Sequence, residues 1–142
     1  IVVDRQESTI EQGFIQYLNE LCIHNLSTYQ GRIDAVRTLF HISHNVPLFV
    51  NQNILLIPTK SIREMDMYYI NYHRVIGIQQ KQKNSLFIFD DATTLEIKCS
   101  YMKMRNQMKK GERLLDHLNK WTILRKCLQC MVIIRFFTSN QV

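Results

Sequence analysis

NSLFIFDDATTLEIKCSYMKMRNQMKK, residues 84–110, carries the change of period on which the fold turns. Leu86 to Phe89 is a short apolar run between the turn Gln82-Lys83-Asn84 and the turn Asp90-Asp91-Ala92-Thr93. After that second turn Leu95, Ile97 and Cys99 alternate with polar neighbours, so they share one face of another strand. From Ser100 the period lengthens. If Ser100 to Lys120 is a helix at about 100° per residue, then Tyr101, Met104, Met108, Leu115 and Leu118 fall together, the stripe that a helix buries. Strands joined by tight turns and followed directly by a helix predict an α+β domain: an antiparallel β meander, N-terminal helices, and a basic amphipathic helix after the sheet.

The pattern holds upstream. Tyr68, Ile70 and Tyr72 alternate along a strand, and Val75 to Gln80 reads as its continuation or its neighbour. Leu48 to Val50 and Ile54 to Ile57 flank the turn Asn51-Gln52-Asn53, with Pro47 and Pro58 bounding the pair. Before these the period is helical. Ser8 to Glu11 is an S-x-x-E capping box, and Ile10, Phe14, Tyr17, Leu18 and Leu21 follow at helical spacing, predicting a helix near 9–24. Asn25, Ser27 and Gly31 interrupt it; Ile33, Val36 and Phe40 predict a shorter helix at 31–41. The organisation expected is a single domain over 1–142: helical at 9–41, β-rich at 46–99, a basic helix at 100–121 and an apolar tail at 122–142.

Charge is divided unevenly along the chain. Residues 1 to 97 carry 8 Lys and Arg against 10 Asp and Glu, whereas residues 98 to 142 carry 10 against 2. A basic block on a near-neutral body is a docking surface for a polyanion, and folding does not require it. On the helical projection Lys103, Asn106, Lys110, Arg113, His117 and Lys120 gather opposite the apolar stripe, while Glu112 and Asp116 lie between the two faces. The row therefore has little internal neutralisation. Two other readings fit the spacing alone, a solvated helix surface and a helix lying on a membrane surface.

Composition bounds the function classes. A chain of 142 residues with 46% hydrophobic content builds a real core, burying roughly two-thirds of its unfolded surface. Two prolines and four glycines leave no linker or low-complexity run. No signal peptide is visible, and the first residue is Ile rather than Met, so a fragment or a missing start is expected. The longest apolar run, Cys127 to Phe137, is interrupted by Gln129 and Arg135 and falls short of the ~20 residues that span a bilayer; a cytoplasmic location without a membrane role is expected. Cys127 and Cys130 form a lone C-x-x-C, and His41 and His44 are three apart, but neither has a partner pair at zinc spacing. No metal, cofactor or small-molecule substrate is expected.

Enzyme signatures are absent: there is no G-x-x-x-x-G-K-[ST], G-x-G-x-x-G, G-x-S-x-G or H-E-x-x-H. Asp90 and Asp91 are the adjacent carboxylates, and between two strands they make a turn. No catalytic residue is assigned.

Several segments stand in the order and spacing of a known family: Tyr29-Gln30-Gly31-Arg32, Ile42-Ser43-His44-Asn45-Val46-Pro47-Leu48, Ile54-Leu55-Leu56-Ile57-Pro58-Thr59, Tyr69-Ile70-Asn71, and Ser100-Tyr101 followed by Asn106-Gln107. In these the chain resembles the bacterial competence transcription factors of the ComK family, over roughly Tyr29 to Gln107. The resemblance implies a DNA-binding activator of a Gram-positive bacterium that recognises paired A/T-rich boxes through the minor groove of double-stranded DNA, acts as a dimer or a pair of dimers, and is delivered to a protease by an adaptor. The chain departs from the family where His44-Asn45-Val46-Pro47 stands for His-Lys-Pro-Pro, where Tyr69 stands for Trp, in its helical first 25 residues, and from Lys126 onward.

The DNA-binding residues expected are Lys103, Arg105, Asn106, Lys110, Arg113 and Lys120 on the helix, with Lys81 and Lys83 on the hairpin turn as flanking phosphate contacts. Lysine and arginine neutralise phosphates, and Arg and Asn enter a narrow A/T groove. The apolar tail, with Met131, Ile133, Ile134 and Phe136, is expected to form a homodimer surface. The alternative is a protein-interaction module whose basic helix binds an acidic partner.

Overall fold

Phe14–Ile23 forms helix α1 and Tyr29–Phe40 forms α2. The computed structural model describes the backbone of residues 2–3, 6–7 and 13–128 and the side chains of residues 13–123. Among the described residues the chain divides into two compact units, Ile1–Gly111 and Glu112–Val142.

Helix α1 begins later than expected. Its N-cap is Gly13, which offers no side-chain cap, and the Ser8–Glu11 box lies outside the described residues. Two short strands that the sequence did not disclose precede it: β1 (Val2–Val3) and β2 (Gln6–Glu7) pair antiparallel. Two residues per strand are too few for a period-2 signal. Helix α2 starts two residues earlier than its apolar spacing suggested because Thr28 caps it, its hydroxyl accepting from the Gly31 amide at 3.0 Å. It ends at His41, whose left-handed backbone (φ 54°) turns the chain.

The expected meander is present as two successive three-stranded antiparallel sheets. The first comprises β3 (Leu48–Asn51), β4 (Ile54–Pro58) and β5 (Tyr69–Asn71). The second comprises β6 (Val75–Lys81), β7 (Asn84–Phe89) and β8 (Thr94–Ile97). A 3-10 turn at Tyr72–Arg74 separates them, so Val75 starts a new sheet rather than prolonging β5. Asn71 fixes that break: its Oδ1 accepts from the amides of His73 and Leu55, and its amide donates to the Asn53 carbonyl at 3.0 Å.

Helix α3 runs Tyr101–Leu128 and crosses the boundary between the units. In the first unit Phe87, Ile97, Ile70 and Met104 form one buried cluster, with Val75, Ile78, Phe89, Leu95 and Met108 packed around it. The inner face of the second sheet thus receives the first turns of α3. Other buried apolar side chains of this unit include Leu18, Cys22, Ile33, Val36, Leu48, Val50, Leu55 and Ile57 from α1, α2, β3 and β4, with Ile42 and Val46 from the segment between α2 and β3.

Candidate nucleic-acid interface

Strand β8 leaves its sheet at the end where the β6–β7 hairpin turns, because Ser85 on β7 is paired with Ile97 on β8. The Ser85 hydroxyl donates to the Cys99 carbonyl at 2.7 Å, and α3 starts two residues later. The chain thus passes from the hairpin end of the second sheet, where Lys81 ends β6, Lys83 stands in the turn and Lys98 follows β8, into the first turns of α3, which carry Lys103, Arg105 and Asn106. No acidic residue stands in the first turn of α3, so the positive end of its peptide dipoles adds to the field of these cations.

The opposite side of α3 is clamped to the body. Met104, Gln107 and Gly111 are buried. The Gln107 side-chain amide donates to the carbonyls of Asn45 and Pro58 at 3.0 and 2.9 Å. Gly111 lies so close to β4 that a Cβ there would meet Ile57 Cδ1 at 2.7 Å and Tyr72 Cδ2 at 3.1 Å. This seam holds the helix in one rotation and sends Met102, Lys103, Arg105, Asn106 and Lys109 outward, where all five are exposed.

Lys110 belongs to the clamp rather than to the open row. Its ammonium donates to the His44 carbonyl at 2.9 Å and the Asn45 carbonyl at 3.4 Å, and burial holds its pKa below the usual lysine value. A flank position on the helical projection could not reveal this, because the acceptors are backbone oxygens far away in sequence. Lys81 is also engaged: its Nζ lies 2.6 Å from Glu96 Oε2, and Asn84 donates to the other Glu96 oxygen at 2.8 Å. These two partners, Asn84 first, hold the Glu96 carboxyl below the usual carboxylate range. Lys83, Lys103, Arg105, Asn106 and Lys109, by contrast, make no side-chain hydrogen bond or ion pair with another described residue. Lys98 and Lys109 were not singled out in the sequence, although both lie in its basic block.

In the second unit Arg113 and Lys120 are exposed, as are Glu112 and Asp116. His117 is half-buried with its ring 6.1 Å from that of Trp121. Met131, Ile133, Ile134, Phe136 and Cys130 lie outside the described residues, and the Cys127 side chain is not among those described. No group of three or more His, Cys, Asp or Glu within metal-binding range occurs among the described residues. No helix there is long and apolar enough to cross a membrane.

A family model described as ComK protein matches residues 1–122. The chain belongs to the ComK family. No curated protein and no solved structure matches it. The ComK match extends the resemblance seen at Tyr29 to Gln107 in both directions, over β1, β2 and α1 at one end and most of α3 at the other. It ends at residue 122, where the apolar tail begins. Every candidate contact from Lys81 to Lys120 lies within it. Membership in the ComK family gives the chain the general role of a competence transcription factor in bacteria.

Proposed function

We propose that the chain is a DNA-binding regulator of competence transcription, and that it meets A/T-rich duplex with the outward side of α3 and the adjoining end of the second sheet. The observation that supports this is the set Lys83, Lys103, Arg105, Asn106 and Lys109, exposed and without internal partners among the described residues. Cations that folding does not consume displace counterions from a phosphate backbone. Arg105 and Asn106 are the pair suited to a narrow minor groove, where A/T tracts concentrate negative potential and base edges offer acceptors. A dimer and delivery to a protease by an adaptor complete the reading and are what the family resemblance implies; placing the dimer contact in the tail rests on the tail's own apolar residues.

Mobility-shift titrations on A/T-rich and G/C-rich duplexes of equal length test it. The A/T-rich duplex is expected to bind more tightly, a minor-groove ligand to compete, and major-groove base modification to matter little. Equal affinity for the two duplexes would leave only non-specific attraction. A complex with an acidic protein that tolerates salt, alongside no duplex binding, would instead identify a protein-interaction module.

A further inference from the structure

On β8, Leu95 packs against the core and Ile97 is buried, so Glu96 between them points to the outer face of the second sheet. On the last rung of the hairpin Lys81 and Asn84 are cross-strand partners, and Glu96 reaches both, one oxygen to each. Between residues 92 and 111 the chain has one carboxylate, Glu96, against Lys98, Lys103, Arg105, Lys109 and Lys110. That carboxylate lies at the hairpin end of the second sheet, five residues before α3 begins.

Resting on the DNA-binding reading above, we propose that Lys81 and Asn84 form a backbone-phosphate subsite for duplex DNA, and that Glu96 occupies it as an internal anion until a phosphate displaces it. The two non-bridging oxygens of a phosphodiester can accept from the Lys81 ammonium and the Asn84 amide as the two Glu96 oxygens do. The contact is weak enough to yield: Lys81 and Glu96 are 57% and 38% exposed, and ion pairs this open contribute little. The lowered Glu96 pKa agrees with an anion held at a site built for one. Loss of one phosphate contact in the free protein would raise the salt and affinity threshold for binding, which limits retention on non-specific DNA.

The 142-residue chain and its Glu96→Gln, Lys81→Gln and Glu96→Gln/Lys81→Gln variants, with far-UV circular dichroism confirming the fold, are titrated with a short A/T-rich duplex across a salt series. Glu96→Ala serves as a second way of emptying the subsite. Glu96→Gln is expected to steepen the log–log salt slope by about one unit and to raise affinity in 0.1 M salt on the order of tenfold, and the double variant is expected to lose that gain. A gain that survives Lys81→Gln reflects overall charge and overturns the subsite. An unchanged slope in both Glu96 variants also overturns it, while parent binding in the same titration leaves the DNA-binding reading standing. If neither the parent nor the Glu96 variants bind duplex, both readings fall.

Discussion

Gln107 is a polar residue used as core. Its amide satisfies two carbonyls, those of Asn45 and Pro58, on a segment and a strand that α3 must cover. Gln107→Leu removes its donation to both carbonyls, but Asn45 keeps the Lys110 ammonium at 3.4 Å, so the cost, about 1–3 kcal/mol, falls chiefly on the covered Pro58 carbonyl; a lowered midpoint in urea with an unchanged slope measures it. Gly111→Ala sets two effects against each other, a helix-propensity gain of about 1 kcal/mol and overpacking of about 1–3 kcal/mol. The second wins because Ile57, whose Cδ1 the new methyl would meet, is itself buried and Tyr72 crowds the same point. Thermal denaturation is therefore expected to find the alanine variant less stable, and an equal or higher midpoint would mean that the seam gives way. Neither position was legible in the sequence. Periodicity finds stripes of apolar residues, and a glutamine, a glycine and a lysine at the seam read as surface until the carbonyls and the strand they meet are known.

At the scale of elements, α3 divides by face between the clamp on the first unit and the proposed DNA contacts, and substitutions are expected to follow that division. Replacing Lys103, Arg105 and Lys109 by alanine leaves every described hydrogen bond in place, so folding is expected to survive while the salt slope for duplex binding flattens by about three units, one per lost phosphate contact. Lys110→Ala is expected to act in the opposite way, costing stability through the two carbonyls of the 44–45 segment. An alanine triple variant that binds as its parent does would make the outward side an ordinary solvated face. The segment between β4 and β5 offers a titration test. Lys60 pairs with Asp66 at 2.8 Å; the pairing raises the Lys60 pKa and lowers that of Asp66, in each case chiefly through their mutual hydrogen bond. A lowered carboxyl contributes fully above its ordinary 3.8 and is lost as pH falls through the depressed value; a raised ammonium contributes fully below its ordinary 10.5 and is lost as pH rises through the elevated one. Amide exchange at 60–68 is thus expected to be slowed by the pair between those limits, and Asp66→Asn to abolish the difference. Strand and helix identities were readable from residues 84–110 outward, since each strand there shows either alternation or a short apolar run between two turns. The split into two sheets was not, because it depends on the side chain of Asn71 bonding three separated backbone groups.

Across the whole molecule, the charge division and the apolar tail pose a joint problem that association would solve. Leu128, Met131, Val132, Ile133, Ile134, Phe136 and Phe137 follow closely on the basic helix, and burying even four such side chains is worth roughly 6–12 kcal/mol. That driving force is too large to leave in water, so the segment is expected to pack on its own chain or on a second copy. A second copy also answers the functional need: two basic surfaces joined in one dimer bind two half-sites, the second intramolecularly, and raise the apparent affinity through effective concentration without any new contact. Light scattering over a concentration series is expected to find the full chain dimeric and a chain ending at Lys126 monomeric, with far-UV circular dichroism confirming that the shortened chain keeps its fold. The shortened chain should also lose affinity for a duplex carrying two A/T-rich sites far more than for one carrying a single site. A monomeric parent would place the tail against its own domain, and a shortened chain that dimerises equally well would move the interface elsewhere. A loss of affinity equal on both duplexes would show that the tail acts on the basic surface itself rather than by joining two of them.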